Sequence, residues 1–146
     1  MNSKQADVEL ILKLYELRRD PLMRSAREWY FTQFQPSSAQ EIVELMLSGF
    51  GPSRYYRMIT SYWEMAASFV NNGGIDEQLF REAGSEYLGV FASIEPFIAE
   101  VRIAFNEPNY LRHLERLVTG LPRAPEVLNN RRRLLARWAQ AEQAGR

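Results

Sequence analysis

Apolar residues recur along this chain at intervals of three and four, the spacing that gathers them on one face of a helix. The first such segment, residues 3–19, sets Val8, Ile11, Leu12 and Tyr15 on one side with Leu14 beside them, and predicts a helix that stops at Asp20-Pro21. The same pair starts the next one, with Asp20 as N-cap and Pro21 at the first helical position, where the missing N–H costs nothing. That second helix runs to about Phe34 and carries Leu22, Met23, Ala26, Trp29, Tyr30 and Phe31. In the stretch QPSSAQEIVELML, Ser38 and Glu41 have the spacing of a capping box, so a third helix begins there and ends near Ser48, before Gly49-Phe50-Gly51-Pro52. A fourth starts around Ser53 and ends at NNGG, where asparagine and glycine can take the left-handed conformation that closes a helix.

A fifth helix opens at Asp76, with Ile75 and Phe80 placed as a hydrophobic staple around the cap. Leu79, Phe80, Ala83, Tyr87, Val90, Phe91 and Ile94 predict one long continuous stripe, which Pro96 kinks or ends, with a short continuation to about Phe105. After Asn106-Glu107-Pro108-Asn109 a sixth helix carries Tyr110, Leu111, Leu114, Leu117 and Val118 and ends at Gly120. Pro122 and Pro125 bracket a turn, and a last helix holds Val127, Leu128, Leu134, Leu135 and Trp138 before a fraying tail, AEQAGR. No strand pattern, internal repeat or linker interrupts this series. The expected fold is all-α: residues 1–146 as a single domain, an antiparallel bundle or array of about six to seven helices.

The fourth helix sorts its residues with unusual asymmetry. At 100° per residue, Arg54, Arg57, Thr60, Ser61, Glu64, Ser68, Asn71 and Asn72 fall within roughly 60° of one line. Tyr55, Tyr56, Met58, Ile59, Tyr62, Trp63, Met65, Ala66, Phe69 and Val70 fill an apolar face about 240° wide. Such a helix is central, packed on most sides. Glu64 stands in the middle of the polar seam among short side chains, where a second element can approach. A carboxylate held there needs a cation or several donors. Arg57 is about two turns away, roughly 10 Å along the axis, so the expected partner is an arginine from another helix.

Composition narrows the chemistry. The 146 residues are 46% hydrophobic and 25% charged, ordinary for a soluble globular protein. The absence of cysteine excludes disulfides, thiolate nucleophiles and cysteine-ligated metal sites. Lys+Arg and Asp+Glu number 18 each, so no overall basic field points to nucleic acid or anionic lipid. The N-terminal stretch lacks the plan of a signal peptide, because Glu9, Lys13 and Glu16 interrupt its apolar residues. No run reaches the ~20 apolar residues that span a bilayer. A cytoplasmic protein is expected.

Motifs with chemistry are few. The one histidine, His113, has Tyr110 at i−3, so the Glu-x-x-His pairs of di-iron bundles are missing, and His113 is expected to be a surface or partly packed residue. No metal or other cofactor is implied. Phosphate-binding glycine loops and the nucleophile-elbow pattern are absent, and NNGGID lacks the alternating acids of a calcium loop. Tyr55, Tyr56, Tyr62, Trp63 and Phe69 could stack a flat ligand, but aromatics at helical spacing are expected in the core. Arg131, Arg132 and Arg133 span about 200° of a helix and are expected on its solvated surface.

The segments LKLYELRRDPLMRSAREW, YWEMAASFVNNGGIDEQLF and IEPF resemble a family of small bacterial all-helical domains of unknown function, over roughly residues 6–120. Some members of that family carry an N-terminal membrane anchor, a feature not expected in this chain. The resemblance implies the helical fold and a bacterial, intracellular setting; it brings no activity, cofactor or catalytic residue. Residues and resemblance together lead to the expectation of a non-enzymatic module that binds another protein or itself. The alternative is a small-molecule binder or sensor with polar contacts from Arg57, Ser61, Glu64, Ser68 and Asn72 beside an aromatic groove.

Overall fold

A computed structural model describes residues 3–49 and 51–145 of the chain, and Phe50, expected in the turn before the fourth helix, lies outside the described residues. The described residues form nine α-helices in chain order: α1 (Ser3–Leu17), α2 (Pro21–Thr32), α3 (Ala39–Leu47), α4 (Gly51–Asn71), α5 (Glu77–Ala83), α6 (Glu86–Ile94), α7 (Ile98–Phe105), α8 (Arg112–Thr119) and α9 (Ala124–Ala144). Pro96 sits in a 3-10 turn, Glu95–Phe97, between α6 and α7. Among the described residues there is no strand, and the all-α expectation holds.

Local chemistry accounts for most boundaries. Asp20 accepts from the Met23 amide and Pro21 opens α2. Ser38 accepts from the Glu41 amide at 3.2 Å, but the Glu41 carboxylate returns to the amide and hydroxyl of Ser37, so the capping box closes one residue early. Asp76 caps α5 at the Leu79 amide, with Ile75 and Phe80 both buried around it. Gly73, at φ +81°, takes the left-handed conformation that ends α4, and the Gly74 amide donates back to the Phe69 carbonyl.

The expected long fifth helix is two helices. Gly84, extended at φ 173° and ψ 167°, ends α5, and the Ala83 carbonyl there accepts from the Tyr15 hydroxyl at 2.6 Å, which stands 2.7 Å from the place a Cβ on residue 84 would take. The sixth predicted helix starts two residues late: Tyr110 precedes it and Leu111, at φ 56°, turns left-handed so that its side chain reaches the core. The expected tail at 141–146 is helical through Ala144, and Arg146 lies outside the described residues.

Helix α4 runs through the middle and touches α2, α3, α5, α6 and α8, while α9 lies over α6 and α2. Its buried side includes Tyr56, Ile59, Tyr62, Trp63, Ala66, Ala67 and Val70. Trp63 meets Tyr62 edge-on at 4.8 Å between ring centres and leans on Phe80 and Tyr87, contacts worth about 0.5–1.5 kcal/mol each beyond their burial. Phenol hydroxyls tie the helices together: Tyr30 donates to the Val90 carbonyl and Tyr62 to the Leu14 carbonyl, both at 2.6 Å.

Two expectations about faces are corrected. In α1 the core-facing line is Ile11 and Leu14, and Val8, Leu12 and Tyr15 are exposed, because the helix touches the body along a narrow edge. In α4 the solvent side is displaced from the polar seam toward Met65 and Phe69; Phe69, expected in the core, is 43% exposed, whereas the seam residue Thr60 is buried. Helix α8 covers one border of the seam, and α4 turns its opposite border outward.

Candidate functional site

Glu64 occupies the place where α4 meets the start of α8. Its two carboxylate oxygens accept from the backbone amides of His113 at 3.1 Å and Leu114 at 2.8 Å. These are the second and third residues of α8, the amides a serine or aspartate N-cap would satisfy. Leu111, which holds the N-cap position, has no side chain able to do so. Glu64 therefore caps a helix to which it does not belong, and its negative charge faces the positive end of that helix's dipole. The arginine expected opposite Glu64 is replaced by two peptide N–H groups.

The neighbouring seam residues extend this joint. Asn71 donates from Nδ2 to the His113 carbonyl at 2.9 Å, which leaves His113 half-buried. The hydroxyls of Tyr56 and Tyr110 share a hydrogen bond at 2.7 Å. The Tyr110 carbonyl accepts from Arg102 at 2.7 Å, and Arg102 continues to Glu115 at 3.2 Å. Burial is the main cause that raises the phenols of Tyr30, Tyr56 and Tyr110 and pushes Tyr62 up to about 12.

The other predicted contacts do not join Glu64. Arg57 is exposed and its Nε donates to the Ser53 carbonyl at 3.4 Å. Ser61 donates to the Arg57 carbonyl at 2.6 Å, Ser68 to the Met65 carbonyl at 2.6 Å, and Asn72 to the Ser68 carbonyl at 2.8 Å. Each polar group is satisfied by α4's own backbone. Sequence reasoning missed the His113 and Leu114 amides as partners of Glu64, and Tyr110 as partner of Tyr56, because contacts some fifty residues apart leave no local trace, and Asn109 reads in the chain as a ready N-cap for a helix opening at Tyr110.

On the opposite border of α4 an apolar strip is open to solvent. Leu10 and Leu17 from one face of α1 and Met65 and Phe69 from α4 are 41%, 55%, 37% and 43% exposed. Leu17, Met58, Tyr62 and Met65 line a shallow recess of about 630 Å³ whose rim includes Glu16, Asp20 and Ser61. Among the described residues no helix is long and apolar enough to cross a membrane.

Residues 4–121 match a family described as a domain of unknown function, DUF4760. This chain belongs to that family. No curated protein and no solved structure matches it. The DUF4760 match spans α1 to α8 and so contains the Glu64 joint and the apolar strip, whereas α9 lies beyond it. In this DUF4760 chain α9 is held by the arginine run expected on its solvated surface: Arg131 donates to the Ser85 hydroxyl at 3.2 Å, and Arg132 to the Ala92 carbonyl at 2.9 Å and to Glu95. Arg133 stays exposed. A cleft of about 490 Å³ separates α9 from the α2–α3 connection, lined by Phe34, Pro36, Phe97, Leu135 and Ala139.

Proposed function

We propose that this DUF4760 chain is a non-enzymatic interaction module that pairs with a second copy through the α1–α4 strip. The observation that carries this reading is the line of exposed apolar side chains, Leu17, Met65 and Phe69, beside a recess on the family's own part of the chain. Scattered exposed apolar residues need no explanation, but a contiguous line along one groove marks a contact surface. Charge favours a second copy as the occupant. Glu16 and Asp20 border the recess on one bank, and Arg54 and Arg57 stand on the outer side of α4. A two-fold axis along the groove sets the acidic bank of each copy against the basic bank of the other; an axis across it opposes like charges.

Sedimentation equilibrium over a wide concentration range tests the reading. A dimer is expected, with Phe69→Glu giving a folded monomer. Arg57→Glu weakens the dimer, and adding Glu16→Arg to it restores association. A wild-type chain that stays monomeric at the highest concentration overturns the proposal.

A further inference from the structure

Away from the strip, Arg18 and Trp63 meet beneath α1. The Arg18 guanidinium lies 4.6 Å from the centre of the Tyr15 ring and 5.6 Å from that of Trp63, and its Nη2 is 3.2 Å from Glu86. Glu86 is shared with Arg27 at 2.7 Å, so two guanidinium groups face one carboxylate and the cluster keeps one positive charge. Trp63 is 6% exposed. Two N–H groups in this contact are buried and meet no acceptor among the described residues: Arg18 Nε and Trp63 Nε1. Both residues line the same void of about 20 Å³, together with Ile11, Leu14, Tyr15, Tyr62 and Phe80. That volume suits one molecule of water size.

We propose that this void binds one compact hydrogen-bond acceptor, a halide ion or water, held jointly by Arg18 Nε–H and Trp63 Nε1–H. Both open groups are donors, so the guest must supply lone pairs. The excess positive charge accommodates an anion. Water also fits, because the Tyr15 and Tyr62 hydroxyls give their own protons to the carbonyls of Ala83 and Leu14 and their oxygens are left to accept. The guest bridges the end of α1 to α4, and its loss loosens α1 first.

The test is a high-resolution crystal structure of the full chain, with parallel crystals soaked in bromide. One peak in contact with both nitrogens is expected, at roughly 3 Å for water and a few tenths of an ångström longer for bromide. A bromide anomalous signal there identifies a halide, and a peak without that signal identifies water; either supports the site. Arg18→Met and Trp63→Phe each take away one residue's N–H donors and should lose the peak. A bromide peak that survives both substitutions is an adventitious ion and overturns the proposal, as does a wild-type void without density. In solution, the Trp63 indole N–H should exchange with solvent faster in Arg18→Met than in wild type; equal rates count against the bridge.

Discussion

The Glu64 carboxylate lies 2.8 Å from the amide of Leu114, fifty residues further along the chain, and so caps the first turn of α8 from α4. Glu64→Ala removes two charge-assisted hydrogen bonds and leaves two amides without their acceptor. It should lower the unfolding free energy by about 1–3 kcal/mol. Glu64→Gln keeps one acceptor but loses the charge favoured at a helix N-terminus, and should cost less than the alanine change. Urea titration measures both. Faster amide exchange at His113 and Leu114 locates the loss at α8; unchanged exchange there contradicts the capping role.

Gly84 and Tyr15 form a second long-range pair. Gly84→Ala places a Cβ 2.7 Å from the Tyr15 hydroxyl and displaces it from the Ala83 carbonyl. The expected net cost is about 1 kcal/mol, the lost bond being partly offset by the stiffer unfolded chain. In a Tyr15→Phe background the hydroxyl is gone and the same change should be neutral or stabilising. A double-mutant cycle that shows no coupling rejects this account.

Trp63 and Phe69, six residues apart on α4, should respond to very different degrees. Trp63→Ala opens the aromatic cluster and should cost about 3–5 kcal/mol. Phe69→Ser removes a side chain that is 43% exposed and should change monomer stability by less than about 1 kcal/mol. Thermal unfolding of both variants separates them.

High pH should unfold the protein through its buried phenols. Tyr62 is pushed up to about 12, and Tyr30, Tyr56 and Tyr110 are raised in the same direction, chiefly by burial. An unfolded tyrosine ionises near 10. The stabilising contribution is therefore complete below about pH 10 and is lost as pH rises through the folded values, because the unfolded chain releases these protons first. The phenolate absorbance of these four residues should appear together with the loss of helical circular dichroism. Ionisation of all four with helicity intact contradicts their placement.

The chain's own pattern determined the all-α class, the caps at Asp20, Ser38 and Asp76, the stop at Gly73, the central position of α4 and the buried place of Trp63. These depend on interactions within a few residues or on the width of an apolar face, and both are written locally. Tertiary structure decided which border of α4 is covered, and so turned Phe69 out and Thr60 in. It also gave Glu64 two amides where an arginine was expected, and broke the fifth helix at Gly84 against Tyr15. A helical wheel states the angle of each residue about its own axis, but not the direction from which a neighbouring helix arrives. The partners of Glu64 and Gly84 lie fifty and sixty-nine positions away, and only the packed chain brings them together.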